Sequence, residues 1–274
     1  MRVYLPIYKE SRRPKWIIRC GLKLYDLLAG QSPLAGSSWH SREELLNACE
    51  GLRSEGLKGA FSFYDVQMDD NALGLWAAER AREAGAVIRT ETKVYSISTD
   101  ATLIVDGKRY AYDSIVNVAG PWAKQILDTS GIAIRHDLDL VRGSHLILDH
   151  ECACALLLQA PIDGRICFIL PYQEKTLVGS TEVRQTLNDP IRCSSDESIY
   201  LQKLYRFYFP ATNMTICGQL SGLRPLVRSH SNPNKATREY VIERSGKVIS
   251  VLGGKWTTSR SLGLHVAEAV SMSK

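Results

Sequence analysis

The residues best suited to chemistry stand close to the end of the chain, in the stretch GGKWTTSR, Gly253 to Arg260. Neither glycine has a Cβ, so the backbone there can approach a ligand closely. A helical pattern follows, and the first N–H groups of a helix lack intrahelical partners and carry partial positive charge. Such a terminus suits a phosphate, or the electron-rich edge of a flavin ring that gains negative charge on reduction. Lys255 adds a full charge. The spacing is not that of a P-loop, GxxxxGK[ST], which argues against ATP hydrolysis.

Three other stretches hold groups of a suitable kind. His145 in VRGSH offers an imidazole, Arg224 in SGLRPL a guanidinium, and Gly120-Pro121 in VNVAGPWA a tight turn. Each has an ordinary explanation when taken alone. A histidine in a strand is usually packed or at the surface, an arginine before proline is usually a surface ion-pair partner, and Gly-Pro commonly opens a helix. The seven cysteines include a C-x-C pair, Cys152 and Cys154, with His150 nearby. A zinc site would show a second ligand pair at defined spacing, and none is present. The cysteines are therefore expected to be buried free thiols, and no metal is expected.

The elements that must position these groups can be read from periodicity and turn chemistry. Asp69 is suited to cap a helix whose face runs Leu73, Trp76, Ala77, Arg80, Ala81, Ala84, with Gly85 as its stop. AVIRT then reads as a strand. KVYSIST and ATLIV follow, and the turn Asp106-Gly107 leads into KRYAYD. SIVNVAG runs as a strand through Gly120-Pro121 into the helix PWAKQILDTSG. Helix, strand, meander, strand and tight turn resemble the second half of a dinucleotide-binding sheet. Further on, LVRGSHLILD, ICFILPY and TLVGSTEV are β-rich, DESIYLQKLYRFYF is helical, and YVIERSGKVISVLGG is a hairpin around Ser245-Gly246. Upstream, AGQSPLAGSSWHSREELLNACEGL is loop-like until Ser41, where Ser-x-x-Glu predicts a capping box.

The expected fold is α/β (α+β): an incomplete dinucleotide-cofactor domain of Rossmann-like form interleaved with a mostly antiparallel substrate domain. Residues 1–64 form an N-terminal segment of the substrate or cap region, and 65–130 the second half of the cofactor domain. Residues 131–240 form the antiparallel substrate domain, and 241–274 return to the cofactor domain.

Composition narrows the class. The chain has 274 residues, 45% hydrophobic and 23% charged, enough for a sizeable core. No apolar run approaches the roughly 18 residues of a membrane span. MRVYLPIYKESRRPKW carries charge and proline where a secretory signal needs an apolar core, so a cytoplasmic protein is expected. The net charge of +5 is mild and without nucleic-acid motifs, so no nucleic-acid partner is expected. One basic cluster, Arg12, Arg13, Lys15, Arg19 and Lys23, lies on a helical pattern that starts at Pro14 and ends near Gly30. Trp16, Ile17, Cys20, Leu24, Leu27 and Leu28 recur along it at helical spacing. A core-packed helix with a solvated basic edge is the favoured reading; a helix lying on an anionic membrane surface is the alternative.

Five motifs, VNVAGPWA, VRGSHLIL, LPYQEKTLVGSTEV, LSGLRPLV and GGKWTTSR, occur in that order. In them the chain resembles the FAD-dependent glycerol-3-phosphate dehydrogenases of the D-amino-acid-oxidase superfamily. The likeness runs from VYLPIYKESRRPKWIIRCGLKLYDLLAG to the last helix. That family begins with a strand, a GxGxxG turn, an acidic residue for the ribose and an SSK…HGG stretch, about one hundred residues by the size of such units. It also carries a C-terminal helical extension. Both are missing here, so the resemblance implies a truncated form that purifies colourless.

By the resemblance, Ala119, Gly120, Pro121 and Trp122 would form the turn facing FAD, and Gly253, Gly254, Lys255, Trp256 and Thr257 would lie against the flavin. Arg224 and His145 would line the substrate pocket beside Lys255, since a dianionic phosphate and a polarised hydroxyl call for guanidinium, ammonium and imidazole. His145 is the candidate acceptor of the C2 hydroxyl proton. The implied reaction oxidises glycerol 3-phosphate to dihydroxyacetone phosphate, with electrons passed to quinone and peripheral contact with the cytoplasmic face of the inner membrane. Two alternatives stay open: a superfamily oxidase or dehydrogenase acting on another 2-hydroxy or amino acid, and a non-catalytic remnant. Three departures from the family stand out. Its TTD reads Ser180-Thr181-Glu182, the leucine of GGKLTTYR is Trp256, and the tyrosine is Ser259.

Overall fold

The computed structural model describes residues 1–30, 34–228 and 239–272. Parts of two expected segments, residues 31–33 of the loop before Ser41 and 229–238 of the antiparallel region, lie outside the described residues. In chain order the elements begin with β1 (Arg2–Tyr8), α1 (Lys15–Leu28), β2 (Ser38–His40), α2 (Arg42–Ala48), β3 (Leu57–Tyr64) and α3 (Asp70–Glu83). They continue with β4 (Val94–Ile97), β5 (Thr102–Val105), β6 (Lys108–Ala111), β7 (Ile115–Asn117), α4 (Ala123–Thr129), β8 (Leu138–Leu148) and β9 (Ala155–Gln159). The last are β10 (Ile166–Tyr172), β11 (Lys175–Gly179), β12 (Val183–Arg184), α5 (Ser195–Tyr208), β13 (Ile216–Val227), β14 (Tyr240–Ser245), β15 (Val248–Gly253) and α6 (Ser259–Ser271).

These elements gather into two compact units. The first comprises Met1–Gln67, Gly143–Glu182 and Ile191–Gly222; the second comprises Met68–Arg142, Val183–Pro190 and Leu223–Lys274. The division falls inside β8 and β13, each of which gives one half to either unit.

In the first unit the strands run in the order β8, β11, β10, β9, β1, β3, β2. All neighbours are antiparallel except β1 and β9, which pair in parallel at Val3↔Ala155 and Tyr4↔Leu156. Helix α5 covers the sheet with Leu201, Leu204, Tyr205 and Tyr208, spaced for one helical face, and all four are buried. They join Leu45, Leu146, Leu148, Leu156, Leu158 and Ile169 in one continuous core. Burying each such side chain contributes about 1.5–3 kcal/mol.

Both helices against this core start with a capping box. Ser41 and Glu44 form one at α2, as the sequence predicts, and Ser194 and Glu197 form the other at α5. The expectation of free thiols fails at one pair. Cys49, which ends α2, and Cys154, which precedes β9, form a disulfide with Cα atoms 5.7 Å apart. The two are 105 residues apart in sequence, so only the packing of α2 beside the start of β9 brings them within reach. Cys20, Cys152, Cys167, Cys193 and Cys217 take no part in a disulfide, and Cys20 and Cys217 are exposed rather than buried as expected.

Helix α1 also departs from its favoured reading. None of its residues is buried. Tyr25 donates its hydroxyl to the Tyr64 carbonyl at 3.1 Å, and Lys15 sits over the Trp39 ring. The apolar stripe is left outward, with Trp16 at 66%, Leu27 at 75% and Leu28 at 78% exposure. Contacts made by Lys15 and Tyr25, whose ring also packs edge-on against Phe63, hold this helix, rather than the stripe.

The second unit has two small sheets. The meander β4–β5–β6 closes around Asp106-Gly107, whose φ values of 48° and 73° are those of a two-residue hairpin turn. The other sheet has the order β14, β15, β7, with β14–β15 antiparallel and β15–β7 parallel. Two modest cores hold it. Ile97, Ile115, Leu127, Ile132 and Val248 make one, and Ala123, Leu138, Val227 and Leu252 the other. Asp69 caps α3 by accepting from Ala72 N at 2.9 Å. The face traced from Leu73 to Ala84 is nevertheless not buried, and Trp76 is 60% exposed. AVIRT is no strand: Ala86 N bonds back to the Ala81 carbonyl, and Val87 is 84% exposed. Apolar character alone does not make a strand where no neighbour completes its ladder.

Candidate cofactor and substrate sites

The two glycine turns converge through strand register. β7 and β15 run parallel with Val248↔Ile115, Ile249↔Val116 and Ser250↔Asn117 paired. Their C-terminal ends therefore lie at one end of the sheet, and the turns Ala119–Trp122 and Gly254–Thr257 both leave from it. In open α/β sheets this is the end at which ligands bind. Each turn feeds a helix, α4 after the first and α6 after the second.

Local bonds shape the first turn. Asn117, buried at the end of β7, donates Nδ2 to the Ala123 carbonyl at 2.9 Å, and its Oδ1 accepts from Ala119 N at 3.3 Å. This residue escaped the sequence reading, although a lone amide inside the apolar run IVNV is a usable signal. Gly120 has φ +56°, and a Cβ placed there would meet no atom within 4 Å. Pro121 and the exposed Trp122 complete a single 3-10 turn. Ala119 and Trp122 also border an apolar cavity of about 690 Å³ whose other walls include Val94, Tyr95, Ile115 and Ile126.

The second turn is built differently. Gly253 has φ +77°, and its missing Cβ leaves room for the Glu239 carbonyl oxygen, 2.6 Å from where that atom would sit. Gly254 follows with φ +96°. Lys255 is extended and exposed, and Trp256, Thr257 and Thr258 form a 3-10 turn before α6 begins at Ser259. The helix proper therefore begins only after the Thr257-Thr258 pair. Thr258 N is already taken by the Lys255 carbonyl at 3.1 Å. Arg224, on the half of β13 that belongs to this unit, is half-buried and buries its Nη1 atom.

A second polar cluster in this unit is structural. The Glu243 carboxylate accepts from Arg135 N at 2.8 Å, His136 N at 2.9 Å and His136 Nδ1 at 2.7 Å. Burial pushes its pKa up, but these hydrogen bonds outweigh burial and hold it below the ordinary value.

His145 belongs to the first unit. It stands on β8 opposite Gly179 of β11, and a Cβ on Gly179 would lie 2.2 Å from His145 Cδ2. The imidazole thus rests directly on a residue that has no side chain. Its neighbour Ser144 is fully buried and donates Oγ to Glu197 Oε1 at 2.8 Å. In the segment Ser180-Thr181-Glu182, Thr181 is buried and also donates to Glu197 Oε1, at 2.6 Å. Glu182 is exposed and pairs with Arg165 at 3.8 Å. Cys167 is a protonated thiol, because burial pushes its pKa up to about 11.

The structure therefore gathers Ala119, Gly120, Pro121 and Trp122 at one sheet end with Gly253, Gly254, Lys255, Trp256 and Thr257, and it sets Arg224 in the same unit. His145 is in the other unit. Among the described residues no group of three or more His, Cys, Asp and Glu side chains could hold a metal ion. Among them, too, no helix is long and apolar enough to cross a membrane.

Known proteins resemble the chain in sequence and in fold. The glycerol-3-phosphate dehydrogenase of Pseudomonas tolaasii is 36% identical over 284 residues, covering 96% of this chain and 54% of the relative. The aerobic glycerol-3-phosphate dehydrogenase of Escherichia coli K12 is 31% identical, covering 99% of this chain and 57% of the relative. The chain spans a little over half the length of these curated relatives. Among solved structures, the glycerol-3-phosphate dehydrogenase of Bacillus halodurans complexed with FAD superposes with a TM-score of 0.78 at 23% identity, over 99% of this chain and 51% of that one. Glycine oxidase of Geobacillus kaustophilus superposes at 0.73 with 20% identity, over the whole of this chain and 71% of that one. The mixed α/β fold with mostly antiparallel sheets is common to them. The family described as FAD dependent oxidoreductase matches residues 2–269, both glycine turns and the His145 and Arg224 strands included, and it is to this family that the chain belongs.

Proposed function

We propose that this chain takes part in the FAD-dependent oxidation of sn-glycerol 3-phosphate to dihydroxyacetone phosphate, with electrons passed to a quinone. One observation carries the reading: relatives bearing the dehydrogenase name align with nearly the whole chain at 36% and 31% identity. The residues fit the cofactor. Gly120 opens onto free space, and Gly254-Lys255 leaves the same sheet end, so backbone and one cation are available to a flavin edge. When bound, FAD supplies the acceptor for the hydrogen and electron pair that leave C2. Ala119, Pro121, Trp122, Gly253, Trp256 and Thr257 complete the surface that would hold it.

The substrate groups follow from charge. Arg224 offers a planar fork matched to phosphate oxygens, and Lys255 a point charge. His145 would take the C2 hydroxyl proton, the task an imidazole performs best near neutral pH. Membrane contact at the cytoplasmic face is assigned to α1. Its stripe of Trp16, Leu24, Leu27 and Leu28 is exposed, and Arg12, Arg13, Lys15, Arg19 and Lys23 lie beside it. Each such cation contributes about 1 kcal/mol near an anionic leaflet.

The deciding experiment supplies FAD to the purified chain, adds sn-glycerol 3-phosphate, and follows flavin bleaching together with reduction of a soluble quinone analogue. Bleaching with quinone reduction supports the reading. Peroxide release in its place identifies an oxidase, and a chain that takes up no flavin defeats the cofactor assignment. Co-sedimentation with anionic vesicles tests α1. Binding that survives Leu27→Asp with Leu28→Asp rules the helix out.

A further inference from the structure

The sequence contains two capping boxes of the same form, and the structure uses them unequally. Glu44 of the first is exposed, and its carboxylate accepts from Ser41 N at 2.6 Å. Glu197 of the second is only 4% exposed and does more than close its own helix. Its Oε2 accepts from Ser194 N and Ser194 Oγ, both at 2.9 Å. Its Oε1 accepts from Ser144 Oγ at 2.8 Å and Thr181 Oγ1 at 2.6 Å. Burying a carboxylate is costly unless hydrogen bonds replace its water, and the Ser194, Ser144 and Thr181 donors do so here.

The network closes around the strand that carries His145. Ser144 N donates to Thr181 Oγ1 at 2.9 Å, and Thr181 N donates to the Ser144 carbonyl at 3.1 Å. The single Ser144 hydroxyl proton is spent on Glu197, so the 3.0 Å contact with Ser221 Oγ is donated by Ser221. Successive side chains of a strand point to opposite faces. Ser144 therefore faces the carboxylate and His145 the other side, over Gly179. Thr181 lies two residues beyond Gly179, so one carboxylate holds both the strand bearing the imidazole and the segment on which its ring rests.

We propose that Glu197 is a positioning residue for His145, acting through Ser144 and Thr181. The proposal rests on the reading of His145 as proton acceptor, but its central test does not. Glu197→Gln keeps the side-chain length and the helix cap. Its amide oxygen must face the Ser194 N–H, which cannot reverse, so the NH₂ group turns toward Ser144 and Thr181 and their hydroxyls must rotate. Ser144→Ala leaves the carboxylate charge in place and removes the link to β8.

The test follows the ring titration of His145 by NMR in the histidine-labelled chain, with thermal melting as the check on folding. The expected result is that Glu197→Gln and Ser144→Ala each move the His145 midpoint by about half a pH unit or more, while Glu44→Gln leaves it in place. Unmoved midpoints in both variants overturn the proposal. A shift in Glu197→Gln alone also overturns it, because charge acting through space would then suffice. Should Glu197→Gln fail to fold, Ser144→Ala still decides. Calorimetric titration with sn-glycerol 3-phosphate keeps the two readings apart: no binding to the unaltered chain defeats the substrate assignment and leaves the His145 result standing.

Discussion

Alanine at Gly253 and alanine at Gly120 are predicted to have different consequences, although both glycines sit in turns at the same sheet end with positive φ. At Gly120, φ is +56° and nothing lies within 4 Å of the new methyl group, so the cost is that of the backbone conformation, about 1–2 kcal/mol. At Gly253 the same kind of cost applies at φ +77°, and the methyl would also lie 2.6 Å from the Glu239 carbonyl oxygen and 2.8 Å from Val227 Cγ2. The oxygen is backbone beside Tyr240, which pairs with Gly253, and it cannot retreat without loosening the β14–β15 ladder. Overpacking of this kind adds about 1–3 kcal/mol. Gly253→Ala should therefore destabilise the second unit by about 2–5 kcal/mol, against about 1–2 kcal/mol for Gly120→Ala. Hydrogen exchange read peptide by peptide separates the two units and measures each opening free energy. Equal losses in the two variants would refute the packing argument. FAD affinity gives the functional half of the comparison. Gly120→Ala should weaken it roughly 10-fold or more while the fold survives, since a methyl at that turn enters the space proposed for the flavin. Unchanged affinity would remove Gly120 from the cofactor surface.

Four further outcomes are expected. Reducing Cys49–Cys154, which closes a loop of 105 residues, should lower the stability of the first unit by about 2–5 kcal/mol; an unchanged denaturant midpoint in dithiothreitol would contradict this. Glu243 has a folded pKa below its unfolded one, so its contribution is present above the unfolded value and lost as pH falls through the folded value. Glu243→Gln should flatten that acid limb of the stability–pH curve, and an identical limb in the variant would count against the assignment. In a flavin-loaded preparation, Arg224→Ala should raise KM for sn-glycerol 3-phosphate more than it alters flavin content, and His145→Ala should chiefly slow flavin reduction. An unchanged KM removes the first from the pocket, and an unaltered reduction rate removes the second as base.

The amino-acid order alone determined the features whose physics is local. The Ser41–Glu44 capping box, the Asp69 cap, and the hairpins at Asp106-Gly107 and Ser245-Gly246 each depend on residues within a few positions of one another. The glycine turns were legible for the same reason, and the ordered motifs around them pointed to the family that residues 2–269 match. What tertiary structure decided depended on partners far along the chain. AVIRT had strand character and no ladder, and the stripe on α1 had helical spacing and no core to meet. The disulfide needed two cysteines 105 residues apart to meet. Glu197 carried only the signature of a helix cap until folding buried it against Ser144 and Thr181, 53 and 16 residues away. Periodicity and turn chemistry encode which conformation a segment prefers; burial, and the donors a buried carboxylate gathers, exist only once distant segments pack.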